Sequence, residues 1–546
     1  MRAGIAHRRR RQKELEMNSF ASDWVWLDQH TKIEPLVCRW YAWPHLLSPA
    51  LLALNLAYRY VPLLKSFVAN PSIHLASARD PKFLCAPFAQ LAREDVDAAR
   101  ELLKEINDTG ARFLRFAADL LDLDRKLQAG AKGGSIQPFY AALPESLSGL
   151  VELTYDLNHH PNIRLIEELL YDELDTASTQ ELAFFDAADR PFFLNTPRLP
   201  GGGRTLIKLP FRDARVEKLA RYRLQGGSLA ELCDSLGIAE SARSEFRRFF
   251  SSEPPPRNAP AYEGDRVRVR YFGHAAVLVQ SARTSVMIDP VLAWDAPGAS
   301  PYFTFHDLPD FIDYVFLTHD HQDHVCLEVL LQLRGRIGRI LVARNNPTCL
   351  ADPAMSLMLK SAGFENVDVI DSLGCISFED GTITAIPFYG EHADVSMYSK
   401  HGMLLNLRGR KFLFVADADC VDRGLYRRIA RRTGGVDTLF IGMECYGAPL
   451  SWLYGPYFSA AIHRRDDEAR RLSGSNAERA WGVVEEMQPR NVFVYAMGQE
   501  PWLTHLLGLQ YSPESIQITE SEAFVGRCRD AGLASERLYG TRELIC

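Results

Sequence analysis

The stretch Thr318-His319-Asp320-His321-Gln322-Asp323-His324 brings three imidazoles and the carboxylate of Asp323 into six positions, directly after the apolar run Tyr314-Val315-Phe316-Leu317. An extended strand sends alternate side chains to one side, so this spacing predicts that His319, His321 and Asp323 converge at a strand's end, with His324 joining as the chain turns. Buried together without a cation, such groups would be desolvated and would repel one another, and a divalent or trivalent metal removes that cost. The chemistry expected is therefore metal chemistry. The alternative is a polar surface loop that happens to be rich in histidine.

Composition frames such a site. At 546 residues the chain exceeds the size at which a single core keeps growing, so two domains are expected. A net charge of -7 provides no basic excess to neutralise phosphates, which argues against a general nucleic-acid binder. The ten cysteines are scattered, without a CxxC pair or a dense framework, as in a reduced, cytoplasmic protein. The most apolar segment, 48–64, carries Asn55, Arg59 and Pro62 and reads as a buried helix, so no membrane partner is expected. Residues 1–16 include Arg8-Arg9-Arg10-Arg11-Gln12-Lys13 with no apolar stretch after them, and read as a disordered, solvated leader.

The elements that must position the motif follow from periodicity. Residues 17–250 read as a mainly helical domain with a small sheet. Helices are expected over 94–106, with Val96, Ala99, Leu102, Leu103 and Ile106 on one face, and over 111–127, with Phe113, Phe116, Leu120 and Leu121; the two faces are expected to pack on each other. A hairpin is expected over 184–194 and a strand over 205–209. Residues 228–250 have helix-turn-helix spacing, but in an acidic chain a packed helical pair is the preferred reading. His159-His160 receives no role. The Pro-rich run 251–265 is the clearest linker. From 266 to 546, strands are expected at 266–271, 275–279, 286–288, 339–342, 367–370, 382–386, 403–407, 411–415, 438–441 and 491–495, with helices between several of them. That order predicts a two-sheet sandwich covered by helices, its polar strand ends gathered at one edge.

Through Gly273-His274-Ala275, Ile288-Asp289-Pro290 and above all the HxHxDH spacing of His319, His321, Asp323 and His324, the second half of the chain resembles the metallo-β-lactamase superfamily. The resemblance implies an α/β fold, the αββα sandwich, here joined to a mainly helical α+β N-terminal domain, with a dinuclear site at the sheet edge. It puts Asp417, in Phe414-Val415-Ala416-Asp417-Ala418-Asp419, at the place of the carboxylate that bridges the two metals, with Asp419 the weaker candidate. Where hydrolases of this fold supply a histidine, Pro387-Phe388-Tyr389-Gly390-Glu391-His392 aligns Glu391, and the histidine usual near the last strand is replaced by Val494-Tyr495-Ala496-Met497-Gly498. In a hydrolase reading His392 would be the ligand in place of Glu391. With Glu391 as ligand, three histidines meet three carboxylates, a hard oxygen-rich set that suits iron. The missing histidine leaves open coordination positions, which oxygen activation and hydrolysis both require.

That substitution and the large N-terminal domain resemble the dinuclear-iron β-hydroxylases of chloramphenicol biosynthesis. The resemblance implies that His319, His321 and Glu391 hold one iron, that Asp323 and His324 hold the other, and that Asp417 bridges both. It further implies two iron ions joined by an oxo or hydroxo bridge, dioxygen as co-substrate, and electrons from an outside reductase or ferredoxin. The substrate would be an aromatic amino acid such as p-aminophenylalanine, carried as a thioester on the peptidyl carrier domain of a nonribosomal peptide synthetase, and hydroxylated at its β-carbon. A homodimer is implied too, the N-terminal domain shaping the approach to the cluster. Arg427-Arg428 and Arg431-Arg432 could meet an acidic carrier domain, a solvated helix being the simpler reading. Glu444 reads as a strand cap in preference to a site residue, and His274 is open between an outer hydrogen bond and a catalytic task. Trp452, Tyr454 and Trp502 are candidates for a channel wall, although large aromatics more often fill cores. Two rival readings stay open: a zinc-dependent hydrolase of a lactone, phosphodiester or thioester, and a carrier-binding scaffold with a structural metal, which the open positions disfavour.

Overall fold

In the strand Ala276–Gln280, Val277 and Val279 turn to one side and Ala276 and Leu278 to the other, and both sides are buried and apolar. A strand with two apolar faces needs a covering layer on each. The computed structural model, which describes residues 23–546 apart from 79, 81, 82, 84, 85, 188, 189, 258–260, 295–301 and 509, supplies both layers. The expected leader at 1–16 lies outside the described residues, as does part of the expected linker.

Two seven-stranded sheets face each other. The first runs Val367–Ile370, Ile337–Ala343, Ile312–Phe316, Ser285–Ile288, Ala276–Gln280, Arg268–Gly273 and Arg542–Ile545; the second runs Cys375–Phe378, Gly381–Ile386, Gly402–Leu407, Arg410–Phe414, Thr438–Gly442, Asn491–Tyr495 and Ala534–Arg537. Each is antiparallel in one half and parallel in the other, where longer connections return the chain to the same edge. Val269, Tyr271, Val277, Val279 and Phe316 meet Leu405, Phe412, Phe414, Phe440 and Phe493 in the core between the sheets. Helices Gly424–Thr433, Ala477–Met487 and Ile516–Asp530 cover the second sheet's outer face. The first sheet's outer face is covered by Leu327–Leu333 and by the N-terminal region, whose apolar residues continue its core without a break. The fold is the αββα sandwich, with the N-terminal region built into one outer layer.

That region carries a four-stranded sheet, ordered Trp40–Tyr41, Lys32–Val37, Gln180–Phe185 and Thr205–Lys208. The 48–64 segment is helical and largely buried, with a π turn at Leu56–Tyr60. Among the described residues no helix is long and apolar enough to cross a membrane.

Several expectations need correction. Helices Val96–Thr109 and Ala111–Gly130 pack chiefly on Val61–Ala69 and Pro49–Asn55 and less on each other, because that central segment is apolar on most of its circumference and takes both faces. The turn of the hairpin expected at 184–194 lies outside the described residues at 188–189, and among the described residues 190–194 form no second strand. Gln180–Phe185 pairs with Lys32–Val37 and Thr205–Lys208, while Pro191 lacks an amide donor and Phe193 gives its N–H to the His505 carbonyl, docking Phe192-Phe193-Leu194 on the catalytic half. Arg268 and Arg270, on the strand Arg268–Gly273, are buried, sharing the Gln280 side chain and lying over aromatic rings. Residues 228–250 form a packed pair of helices pinned by two short strands on Trp24–Leu27. His159-His160 lies on the exposed turn between Val151–Tyr155 and Pro161–Leu165.

Candidate metal centre

Strand Ile312–Phe316 stops before the motif begins. Leu317 makes the last ladder bond, to the Leu341 carbonyl, and the N–H and O–H of Thr318 are taken by the Asp289 carboxylate at 2.8 and 2.6 Å. The motif then coils: the N–H groups of His324 and Val325 both reach the His321 carbonyl, at 3.1 and 2.8 Å, before helix Leu327–Leu333 starts. Convergence of the histidines thus comes from a turn, not from strand alternation as expected.

The side chains named from the sequence meet around one point. His324 Nε2 lies 3.0 Å from Asp417 Oδ2 and 3.6 Å from Asp323 Oδ2; His319 Nε2 lies 3.7 Å from the same Asp417 oxygen; His321 Nδ1 lies 2.7 Å from Glu391 Oε1. Among the described residues, three-donor sets with all atoms within 4.8 Å of one another are His319, His321 and Glu391; His319, His324 and Asp417; His274, Asp323 and His324; and Asp320, His321 and His392. Asp419 is not among them: it pairs with Arg479 at 2.5 Å.

Other side chains hold these donors in place. Asp289, at the end of Ser285–Ile288, accepts from His324 Nδ1 at 2.7 Å, which leaves Nε2 for a metal. Asp323 is held from the other side by His274. The Gly498 N–H donates to His274 Nδ1 at 3.1 Å, so Nε2 carries the proton and gives it to Asp323 Oδ2 at 2.9 Å. The strand end that lacks the usual histidine therefore serves the site indirectly, by fixing His274. Ala416 and Asp417 follow strand Arg410–Phe414; the Ala416 carbonyl accepts from the Gly442 N–H at 2.7 Å and its own N–H meets the Tyr495 hydroxyl at 3.1 Å.

The loop carrying Glu391 is tightly coiled. Gly390, Glu391, Ala393 and Asp394 have φ of 87°, 69°, 50° and 59°, a left-handed run that three non-glycine residues adopt only under constraint. It aims Glu391 at His321 and sets the neighbouring His392 with Nδ1 on the Tyr454 hydroxyl at 2.9 Å, its ring 4.7 Å from that of His321. Of the aromatics singled out, Trp452 lines the adjoining cavity and Tyr454 supports the histidines, whereas Trp502 packs beside Gly273 and Tyr302.

A cavity of about 380 Å³ opens onto His321, Asp323, Glu391 and Asp417, walled by Tyr446, Trp452, Leu472 and Leu507. Glu444 faces into the same cavity and is not simply a strand cap. Burial, then Glu391, Asp417 and Asp323, push its carboxyl well above the usual range. Burial also pushes Asp323 up, but His324, His274 and His321 outweigh it and hold that carboxyl low. His319 is driven well below its usual range by burial and then by His324 and His321. His319 Nε2, His324 Nε2 and Asp417 Oδ1 are buried with no hydrogen-bond partner. The orphaned Nε2 atoms of His319 and His324 face Asp417 Oδ2 at 3.7 and 3.0 Å, and with four carboxylates beside them they fit a pair of divalent cations whose charge would balance the four.

Sequence reading gave Asp289 no role beyond its place in Ile288-Asp289-Pro290, and preferred a strand cap to a site residue for Glu444. The Asp-Pro end of a strand was the local signal for the first; the second had none beyond a carboxylate after a strand.

Residues 26–254 match the family described as the diiron non-heme beta-hydroxylase N-terminal domain, and residues 284–492 match the beta-lactamase superfamily domain. Over 95% of this chain and 99% of the relative, the sequence is 34% identical to the 4-amino-L-phenylalanyl-[CmlP-peptidyl-carrier-protein] 3-hydroxylase of Streptomyces venezuelae. The crystal structure of CmlA, a diiron beta-hydroxylase from Streptomyces venezuelae, aligns with a TM-score of 0.89 at 33% identity, covering 96% of this chain and 99% of that one. A UPF0173 metal-dependent hydrolase of Brucella ovis is 29% identical over 121 residues, 22% of this chain and 46% of the hydrolase.

Proposed function

Because the chain belongs to the diiron non-haem β-hydroxylase family, we propose that it hydroxylates the β-carbon of an aromatic amino acid, of the p-aminophenylalanine type, held as a thioester on the carrier domain of a nonribosomal peptide synthetase in antibiotic biosynthesis. The observation that carries the reading is the placement of Glu391, 2.7 Å from His321, with His392 turned to Tyr454, so that oxygen donors and not a further histidine complete the set. His319, His321 and Glu391 would hold one iron, Asp323 and His324 the other, with Asp417 between them; Glu444 completes the carboxylate side. When bound, the iron pair supplies the oxidising power for C–H cleavage. One oxygen atom of dioxygen enters the substrate, and the other leaves as water with two electrons and two protons from outside.

The chain's own residues supply the rest. Tyr446, Trp452, Leu472 and Leu507 form a wall of rings and aliphatic chains against which an aromatic side chain packs beside the carboxylates. A carrier domain is the partner that presents the substrate. Arg428, Arg431 and Arg432 stand exposed on Gly424–Thr433 as a surface for it, while Arg427 is paired with Glu486. A reductase or ferredoxin delivers the electrons, and a second copy of the chain associates through the N-terminal domain, 17–250, which also narrows the approach to the catalytic domain, 266–546, beyond the linker at 251–265. The scattered cysteines suit work in the reducing cytoplasm.

Metal analysis of protein purified without added metal tests this first. About two irons per chain with a visible charge-transfer band are expected, as is a mass gain of one oxygen atom when carrier-tethered p-aminophenylalanine meets dioxygen and reductant. Zinc with a featureless spectrum, and thioester cleavage in place of the mass gain, would overturn the proposal in favour of the hydrolase.

A further inference from the structure

A buried polar chain links the N-terminal region to the metal loop. Asp320 sits between His319 and His321 with none of its surface exposed; His45 and Asn55 are equally buried, and Tyr457 nearly so. Asp320 Oδ2 lies 3.1 Å from His45 Nε2, His45 Nδ1 lies 2.6 Å from the Tyr457 hydroxyl, and that hydroxyl accepts from Asn55 Nδ2 at 2.9 Å. The donors run one way. An amide NH₂ only donates, so Tyr457 turns its single proton toward Nδ1, and a neutral His45 then gives Nε2–H to Asp320. Burial favours that neutral form by holding the His45 imidazole below its usual range.

The chain ends on Asp320, whose other oxygen has no hydrogen-bond partner. A carboxylate oxygen of Asp320 and ring nitrogens of His321 and His392 lie within 4.8 Å of one another. His321 turns Nδ1 toward Glu391 and Nε2 toward this chamber, where the Tyr454 hydroxyl lies 3.3 Å away. A fully buried carboxylate is stable only when its partners are fixed. For Asp320, among the described residues, the one side-chain hydrogen-bond partner comes from the short helix Pro44–Leu47, more than two hundred positions earlier in the chain.

We propose that His45 is a positioning residue for the metal loop: by holding Asp320 it sets the turn between His319 and His321 and the tilt of the His321 ring, so that the iron site reaches its working shape only with the N-terminal region docked. This rests on the reading of His321 as an iron ligand. It gives the N-terminal region a part in building the centre, beyond association and access.

The test uses the full chain loaded with iron and compares His45→Phe, which keeps ring volume and removes the donor, with His45→Gln, which retains a donor toward Asp320 and an acceptor for Tyr457. The readouts are the rate of iron release to a colorimetric ferrous chelator and the Mössbauer signature of the two irons. Outer hydrogen bonds of this kind change metal affinity by about 10–100-fold, so His45→Phe is expected to release one iron about 10–100-fold faster and to alter one of the two iron signatures, and His45→Gln to restore both to within a few fold. Should His45→Phe not fold, Asp320→Asn is the second variant, with faster release of the same iron expected. Wild-type release and signature in His45→Phe, or in Asp320→Asn if the first does not fold, would overturn the inference whatever the melting temperature. His321→Ala separates the premise: two irons bound normally in that variant would refute the ligand reading itself.

Discussion

Gly442 ends strand Thr438–Gly442 directly against Asp417, and replacing it with alanine measures how little room that carboxylate has. A Cβ there would lie 2.6 Å from the Ala416 carbonyl oxygen and 2.6 Å from Asp417 Oδ1, where ordinary contact begins at 3.4 Å. Both oxygens must therefore yield by about 0.8 Å. Gly442 has no left-handed backbone to lose, so the effect is purely one of space. Nor can its strand retreat, because Gly442 pairs with Tyr495 and bonds the Ala416 carbonyl at 2.7 Å. The turn at 416–417 has to move, and Asp417 moves with it. Functional constellations tolerate displacements of about 0.5 Å, so Gly442→Ala should fold at a cost of about 1–3 kcal/mol, typical of overpacking, while losing iron. Iron per chain after gel filtration, release rate to a chelator, and melting of the metal-free and loaded forms are the measurements. Full iron with a wild-type release rate would refute the reasoning, and an unchanged melting temperature would show that the turn absorbs the methyl group.

Three further outcomes follow from the geometry. Glu391→His should raise the zinc-to-iron ratio in protein supplied with both metals, since imidazole replaces a hard oxygen; an unchanged ratio would count against Glu391 as a ligand. Arg190 bridges buried Glu34 and Glu328 at 2.7 and 2.5 Å, and Arg190→Met leaves the Glu328 carboxylate, among the described residues, only the Tyr41 hydroxyl at 3.2 Å, so a loss of about 3–5 kcal/mol in denaturant unfolding is expected. Wild-type stability there would remove the interpretation of that network. His401, buried against Phe316 at 4.8 Å, has its imidazole lowered to about 3 by burial. The unfolded chain takes up that proton near pH 6.5 and the folded chain does not, so its stability is complete above about pH 6.5 and falls by about 1.4 kcal/mol per unit as pH drops toward 3. His401→Phe should flatten the melting-temperature profile over that window; parallel profiles would refute the assignment.

What could be read from the sequence divides by the range of the forces involved. The HxHxDH spacing and the apolar strands are local, and each states its own role: Val277 and Val279 announce a buried strand, and His319 to His324 announce a metal. The rim strands Ala534–Arg537 and Arg542–Ile545 carry no buried alternation and exist because a neighbouring strand holds them, so no pattern pointed to them. Asp289 acts on Thr318 and His324, far along the chain, and Asp320 depends on His45, so their roles are invisible until the fold brings the partners together. Glu444 looked like a strand cap because only the packing of Thr438–Gly442 between Arg410–Phe414 and Asn491–Tyr495 points the residues after it into the cavity. The coiling of His321 to Val325 was missed for the opposite reason: the apolar run before it suggested that the strand continues.

The left-handed coil at Gly390 to Asp394 bears on how such chains are classified and how they diverge. A glutamate and a histidine stand side by side there, and the coil alone selects which of them faces the cluster. An alignment that scores the presence of a histidine at this loop would file the protein with the hydrolases, although Nδ1 of that histidine is bonded to Tyr454 and the glutamate is the residue paired with His321. On a scaffold with both residues in place, moving between a nitrogen-rich and an oxygen-rich coordination set requires no new ligand, only a one-residue change in how the loop winds.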